Sequence, residues 1–334
     1  MPHAEDLPIQ VTCSKITAGT GTGKERKLIV DVHYHFMRLP ADENAARTMI
    51  GGLLVDGERA GIKKSIDEVM PLYRDYMDDV ECDKLVKRMD ESGIDVTAVL
   101  MMDNVDFGFD DERVMRVNEI CSKAAAKHPD RLIALAGVDP RRPDAPALFR
   151  RCIEEFNMKG LKWHPDNGYY PNSKEAYAVL EVANELGVPL LTHCAPLAGS
   201  RAKYAHPIHL DDIALDFLNL DIIAAHMGNM WWREWAALAQ CKRNICGDMA
   251  MWQLLAESKP GMFRRYLREI VDIVGAEQVL FSSDGPVFEP HVPNRRWVEI
   301  IKGLTTKGED GIVFSNEEVE AILGGNAARI FKLE

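Results

Sequence analysis

Five of the ten histidines in this 334-residue chain stand at or near the end of a short apolar run. LIVDVHYH (28–35) supplies His33 and His35, and KGLKWH (159–164) ends in His164. GVPLLTH (187–193) ends in His193, and LDIIAAH (220–226) in His226. A further run, EQVLFSSD (277–284), ends in Asp284. Residues two apart on an extended strand share a face, so Asp31, His33 and His35 are expected to point one way. Two imidazoles on one face are costly to bury unless something ligates or hydrogen-bonds them. One such histidine is ordinarily a satisfied core residue; the repetition is what argues for chemistry. Neutral imidazoles with one carboxylate suit a single divalent transition ion, zinc first, with manganese or iron as alternatives. His33, His35, His193 and Asp284 are the expected ligands, with a coordination position left open as a catalytic site requires.

Those residues need a scaffold that gathers strand ends. Runs at 94–102, 131–138 and 243–249 bring the strand candidates to eight, and helix-like stretches at 111–128, 144–158, 174–187, 230–241 and 260–275 separate most of them. In the first stretch Val114, Val117, Ile120, Cys121 and Ala124 share a face. Alternation of this kind predicts an α/β fold, a (β/α)8 TIM barrel whose active face is the C-terminal end of the strands. No Pro/Ser/Gly-rich linker divides the chain, which argues against two domains. The 58 residues between His35 and Ile94 exceed one βα unit. A helix at 78–93 accounts for part of them, and 36–77 is expected to be a lid-like insertion after strand 1. Residues 1–27 read as an N-terminal arm ahead of a barrel over 28–334. Their GTGTGK lacks the Walker spacing and precedes a strand instead of following one.

In that order the segments DVHYH, RLIALAGVDPRRPDA, KGLKWHP, GVPLLTHC, IIAAHMGNMWW, VLFSSDGP and GNAARIFKL resemble the amidohydrolase superfamily. More narrowly they resemble the amidohydrolase-related family that includes aminocarboxymuconate semialdehyde decarboxylase. The resemblance spans residues 28 to 334 and implies a metal barrel. It makes His33, His35, His193 and Asp284 the ligands, Asp284 also a proton shuttle, and His226 the group beside the metal. Two departures stand out. HCAP follows strand five where many relatives have HTG, and Asn229 stands near the place where decarboxylases of the family tend to carry Glu. At Asn229 the chain is more similar to the hydrolase members.

The expected reaction is hydrolysis of an amide, lactone or ester by metal-activated water, with His226 and Asp284 catalytic. Nonoxidative decarboxylation, or hydration of a conjugated acid, fits the same ligands. A metal-storage protein would need a closed ligand shell. The substrate is expected to be small and carboxylated or aromatic, touched by Lys162, His164, Trp231 and Arg74. Among the remaining histidines, His206, His209 and His291 are expected to be solvated. A net charge of −12 argues against nucleic acid or an anionic membrane as partner, and no apolar run is long enough to span one. Seven cysteines without a CxxC pair suggest a reducing, cytoplasmic setting. The arm permits a homo-oligomer, a dimer or higher, without requiring one.

Overall fold

The computed structural model describes residues 27–197 and 199–333. The expected arm, residues 1–27, therefore lies outside the described residues except for Lys27. Eight parallel strands follow in chain order: β1 (Val30–His35), β2 (Val96–Leu100), β3 (Leu132–Gly137), β4 (Leu161–Trp163), β5 (Leu190–Thr192), β6 (Ile222–Ala224), β7 (Ile245–Asp248) and β8 (Val279–Leu280). Each pairs with the next. The circle closes where Val32 N–H donates to Phe281 O at 3.2 Å and Tyr34 bridges Gly285. This is the (β/α)8 TIM barrel that the alternation predicts.

Register explains which side chains reach the centre. Val30, Ala98, Leu100, Leu135, Leu191, Ile223 and Leu280 pack together, joined by Ala327 and Ile330 from the C-terminal helix. His35 is level with Leu100, so it shares that interior face. Asp31 is level with Thr97, three places before Leu100 and hence on the opposite face. A bulge between Asp31 and Tyr34 breaks the alternation, which corrects the expectation that Asp31, His33 and His35 point one way. Asp31 instead braces the turn after β8, accepting from Ser283 N at 2.9 Å and Ser283 Oγ at 2.5 Å.

The segment after β1 folds as two capped helices, α1 (Glu43–Arg59) and α2 (Ile66–Met77). Asp42 accepts from Ala45 N and Ser65 from Glu68 N, each satisfying an N-terminal donor. Ile50, Val69, Met70, Tyr73 and Met77 form a small core of their own. Tyr73 Oη donates to Val287 O at 2.6 Å, tethering α2 to the loop after β8. His291, expected to be solvated, is buried there. It packs against Gly57 of α1, where a Cβ would lie 2.2 Å from the ring. A third helix, α3 (Asp83–Ser92), returns the chain to β2. Elsewhere the helices cover the barrel as their apolar faces require. Ile120 is an exception: it is 37% exposed, not on the buried face of its helix.

Candidate metal centre and active site

Three acceptor atoms converge above β1. His33 Nε2 is 3.1 Å from His35 Nε2, and Asp284 Oδ1 is 3.4 Å and 3.1 Å from those two nitrogens. Ligands on a tetrahedral ion with bonds of about 2.0–2.1 Å would stand about 3.3 Å apart. All three residues are buried, and among the described residues Asp284 Oδ1 accepts no hydrogen bond. Burial holds the His33 ring well below its ordinary pKa, keeping it neutral. A positive charge is already drawn to this point, since Lys162 Nζ lies 3.0 Å from His33 Nε2. Burial lowers the Lys162 ammonium to about 8. The donor set fits a divalent cation, which His33, His35 and Asp284 would hold.

Asp248, at the end of β7, orients this cluster. Its Oδ2 accepts from His33 Nδ1 at 2.9 Å, which puts the ring's lone pair on Nε2, where it meets Lys162 Nζ and could serve as a ligand. Its Oδ1 accepts from His226 N at 2.9 Å and Ala250 N at 3.0 Å. Those bonds, with Trp252 Nε1–H donating to His226 O at 2.7 Å, pin His226 at φ 66°. Asp284 is held at φ 51°. Left-handed backbone at non-glycine residues costs about 1–3 kcal/mol and is found where surroundings over-determine it, often at functional sites.

His193 stands beside the three-atom cluster instead of within it. Its Nε2 is 2.9 Å from Ala195 O and its Nδ1 3.0 Å from His226 Nε2. His226 Nδ1 in turn is 3.2 Å from Ala250 O. Burial lowers both rings, His226 to about 4, so both are neutral near pH 7. Two neutral rings own two N–H groups for three contacts. If each donates to its carbonyl, two lone pairs face each other at 3.0 Å, a contact that an added cation relieves. Donation of the second N–H to a backbone carbonyl is the habit of metal-bound histidines.

Over these groups opens a cavity of about 360 Å³. His35, His164, His193, His226 and Asp284 line its floor; Met37, Met49, Leu53, Met102, Phe107 and Phe288 line its walls. His164 stacks on His193 with ring centroids 4.9 Å apart, its Nδ1 3.2 Å from Asp166 and its Nε2 without a hydrogen-bond partner among the described residues. His164, Asp166 and His193 bring their ligand atoms together as well.

A protein-family model for amidohydrolases matches residues 30–333. The chain belongs to the amidohydrolase family. No curated protein sequence matches it. Solved structures similar in fold include 2,6-dihydroxybenzoate decarboxylase from Rhizobium, at 18% identity and TM-score 0.62, covering 92% of this chain and 99% of that one. Another is 5-carboxyvanillate decarboxylase from Sphingomonas paucimobilis, at 18% identity and TM-score 0.62, covering 92% and 100%. A third is dihydroxybenzoic acid decarboxylase from Polaromonas sp. JS666, with bound manganese and the inhibitor 2-nitroresorcinol, at 19% identity and TM-score 0.60, covering 92% and 98%.

Three of the substrate contacts expected in this amidohydrolase lie off the cavity. Lys162 is buried beneath the floor against His33, because β4 turns it into the barrel interior. Trp231 packs on His206 with ring centroids 4.8 Å apart. Arg74 is half exposed and paired with Glu43 across α1 and α2. His164, the fourth, does line the cavity. Sequence reasoning missed Asp248, although the run RNICGDM ends close to a carboxylate much as the eighth run does. It also missed Asp56 and Asp166, both of which line the cavity. Among the described residues no helix is long and apolar enough to cross a membrane.

Proposed function

We propose that this amidohydrolase is a metal-dependent nonoxidative decarboxylase of a small, flat, aromatic carboxylic acid. The observation that carries the reading is a contrast within one cavity. Its floor presents imidazole and carboxylate lone pairs, while its walls are largely apolar, Asp56, Asp166, Asn167 and Ser200 aside, and, among the described residues, include no lysine or arginine. A carboxylate entering it finds no side-chain cation lining the space, so its counter-charge is the ion that His33, His35 and Asp284 would hold. A divalent ion there would anchor and orient that carboxylate, and the electron pair of the breaking carbon–carbon bond would pass to the ring carbon. Met37, Met102, Phe107 and Phe288 offer the ring an apolar slot. The vacated carbon must gain one proton as carbon dioxide leaves. His226 and Asp284 line the same cavity and can hold and pass that proton.

The decarboxylases that share the fold support lyase chemistry ahead of the hydrolysis expected from sequence. Manganese in one of them puts that ion beside zinc as the cofactor to load. The test incubates protein loaded with manganese or zinc with 2,6-dihydroxybenzoate, 5-carboxyvanillate and salicylate, measuring carbon dioxide release. In D2O, proton NMR should show deuterium at the vacated carbon. Turnover of an amide, lactone or ester panel with no carbon dioxide from any aromatic acid would return the assignment to hydrolysis.

A further inference from the structure

The insertion places one carboxylate on a stretch of cavity wall that Met49, Gly52 and Leu53 otherwise make apolar. Asp56 lies on α1 one helical turn beyond Gly52 and Leu53, and it lines the cavity together with them and Asp284. Its side chain is 18% exposed. Among the described residues its ion-pair partner is Arg59, 3.8 Å away, beyond hydrogen-bond distance, with a side chain 68% exposed. Burial and the charge of Asp284 both push the Asp56 carboxyl up, as expected of two acids facing one space. The other arginines of the insertion are engaged elsewhere: Arg38 with Asp78 at 3.3 Å, Arg47 with Asp67 at 2.8 Å, and Arg74 with Glu43.

Resting on the decarboxylase reading, we propose that Asp56 is the specificity-determining residue on the lid side of the cavity, accepting a hydrogen bond from a donor substituent on the substrate ring and rejecting a second carboxylate. The chemistry of the wall dictates both halves. An aromatic acid that turns its reacting carboxylate to the metal floor presents another ring position to α1. A hydroxyl there meets a carboxylate that, among the described residues, has no hydrogen-bond partner, and a charge-assisted bond in a half-dry site is strong. A methoxy group brings only acceptors and bulk. A second carboxylate faces Asp56 with no lysine or arginine lining the cavity among the described residues, and with Arg59 turned largely to solvent, so the repulsion is poorly offset. The substrate class is therefore a ring monocarboxylate carrying a hydrogen-bond donor away from the reacting group.

The test measures binding, not turnover. Metal-loaded full-length protein is titrated calorimetrically with benzoate, 3- and 4-hydroxybenzoate, their methyl ethers, isophthalate and terephthalate. For at least one isomer the hydroxyl should bind about tenfold or more tightly than its methyl ether in the wild type. That ratio should fall to within about twofold in Asp56→Leu. Both dicarboxylates should bind about tenfold or more weakly than benzoate in the wild type, and recover in Asp56→Leu. Asp56→Asn keeps the shape and an acceptor oxygen, so it should retain part of the hydroxyl preference while admitting the dicarboxylates. An unchanged hydroxyl-to-methoxy ratio in Asp56→Leu overturns the proposal, as does wild-type binding of either dicarboxylate as tight as benzoate, or no binding of any benzoate. Because binding is read without chemistry, ligands that bind with the expected ratios but release no carbon dioxide count against the decarboxylase reading alone.

Discussion

Replacing Asp248 with asparagine should remove the metal through a proton on another residue. Asp248 Oδ1 accepts two backbone N–H groups, from His226 and Ala250. An asparagine must keep its carbonyl oxygen there, because the reverse orientation would set an NH2 against both donors at about 1–3 kcal/mol per unsatisfied group. The NH2 then faces His33 Nδ1, where the native carboxylate oxygen sits at 2.9 Å. Nδ1 must become the acceptor, so the ring proton moves to Nε2, which points at His35 Nε2 and Asp284 Oδ1. An N–H now stands where a lone pair is needed. Losing a supporting contact of this kind ordinarily costs about 10–100-fold in metal affinity, about 1.4–2.7 kcal/mol. The forced tautomer puts Asp248→Asn at or beyond the upper figure.

Asp248→Ala separates this account from a general loss of structure. Alanine leaves His33 free to choose its tautomer, so metal affinity should fall less than in Asp248→Asn. It also strands two buried N–H groups, so the metal-free fold should lose about 3 kcal/mol, while the asparagine variant loses little. The assay pairs chelator competition for manganese or zinc with denaturant unfolding of metal-free protein. Imidazole 15N shifts report the His33 tautomer directly. The reasoning fails if Asp248→Asn binds metal like the wild type, or if the two variants rank in metal affinity as they do in stability.

Three further outcomes follow from contacts already described. His33→Ala should lose both metal and turnover, and Asp284→Asn should lose turnover; metal analysis of the purified variants, with activity beside it, checks both, and a stoichiometric ion in His33→Ala would remove that residue from the ligand set. Glu289→Ala should cost about 3 kcal/mol in unfolding free energy, because it strands the nearly buried Arg88, which it meets at 3.2 Å; a loss under about 1 kcal/mol would show that Arg88 is satisfied by Tyr34 alone. Gly57→Ala should lower the melting temperature and raise KM, although alanine in a helix interior ordinarily gains about 1 kcal/mol over glycine. The new Cβ would stand 2.2 Å from His291 Cδ2, so α1 or the ring must move.

How much of this was written in the chain divides along a physical line. The eight strands and the residues at their ends were legible because a barrel repeats one local rule: an apolar run turns its last polar residue toward the mouth. Applied without exception, that rule also reaches Asp248. It fails at Asp31 because a single bulge shifts every side chain before it to the other face, and nothing in LIVDVHYH marks where pairing with β2 slips. For Lys162 it fails in depth, not direction: the residue does point inward, but below the floor, where it neutralises a cluster instead of touching a ligand.

The insertion after β1 was harder because what it presents to the cavity depends on how α1 is rotated over the barrel, and rotation is fixed by contacts remote in sequence. Arg47 and Arg74 are available for a carboxylate only if Asp67 and Glu43 do not lie beside them, and the helical pair brings both acids there. Those exposed ion pairs hold little energy, yet they turn the insertion's positive charge away from the cavity. One clue was present nonetheless. Met49, Gly52, Leu53 and Asp56 recur at helical spacing and share one face of α1. An apolar stripe that buries itself against a barrel mouth should not end in a carboxylate unless something in the mouth needs an acceptor. The anomaly is visible in the sequence, and the structure places it on the cavity that Asp284 also lines, where, on the reading proposed above, the floor would take one end of a ligand and leave the other end to Asp56.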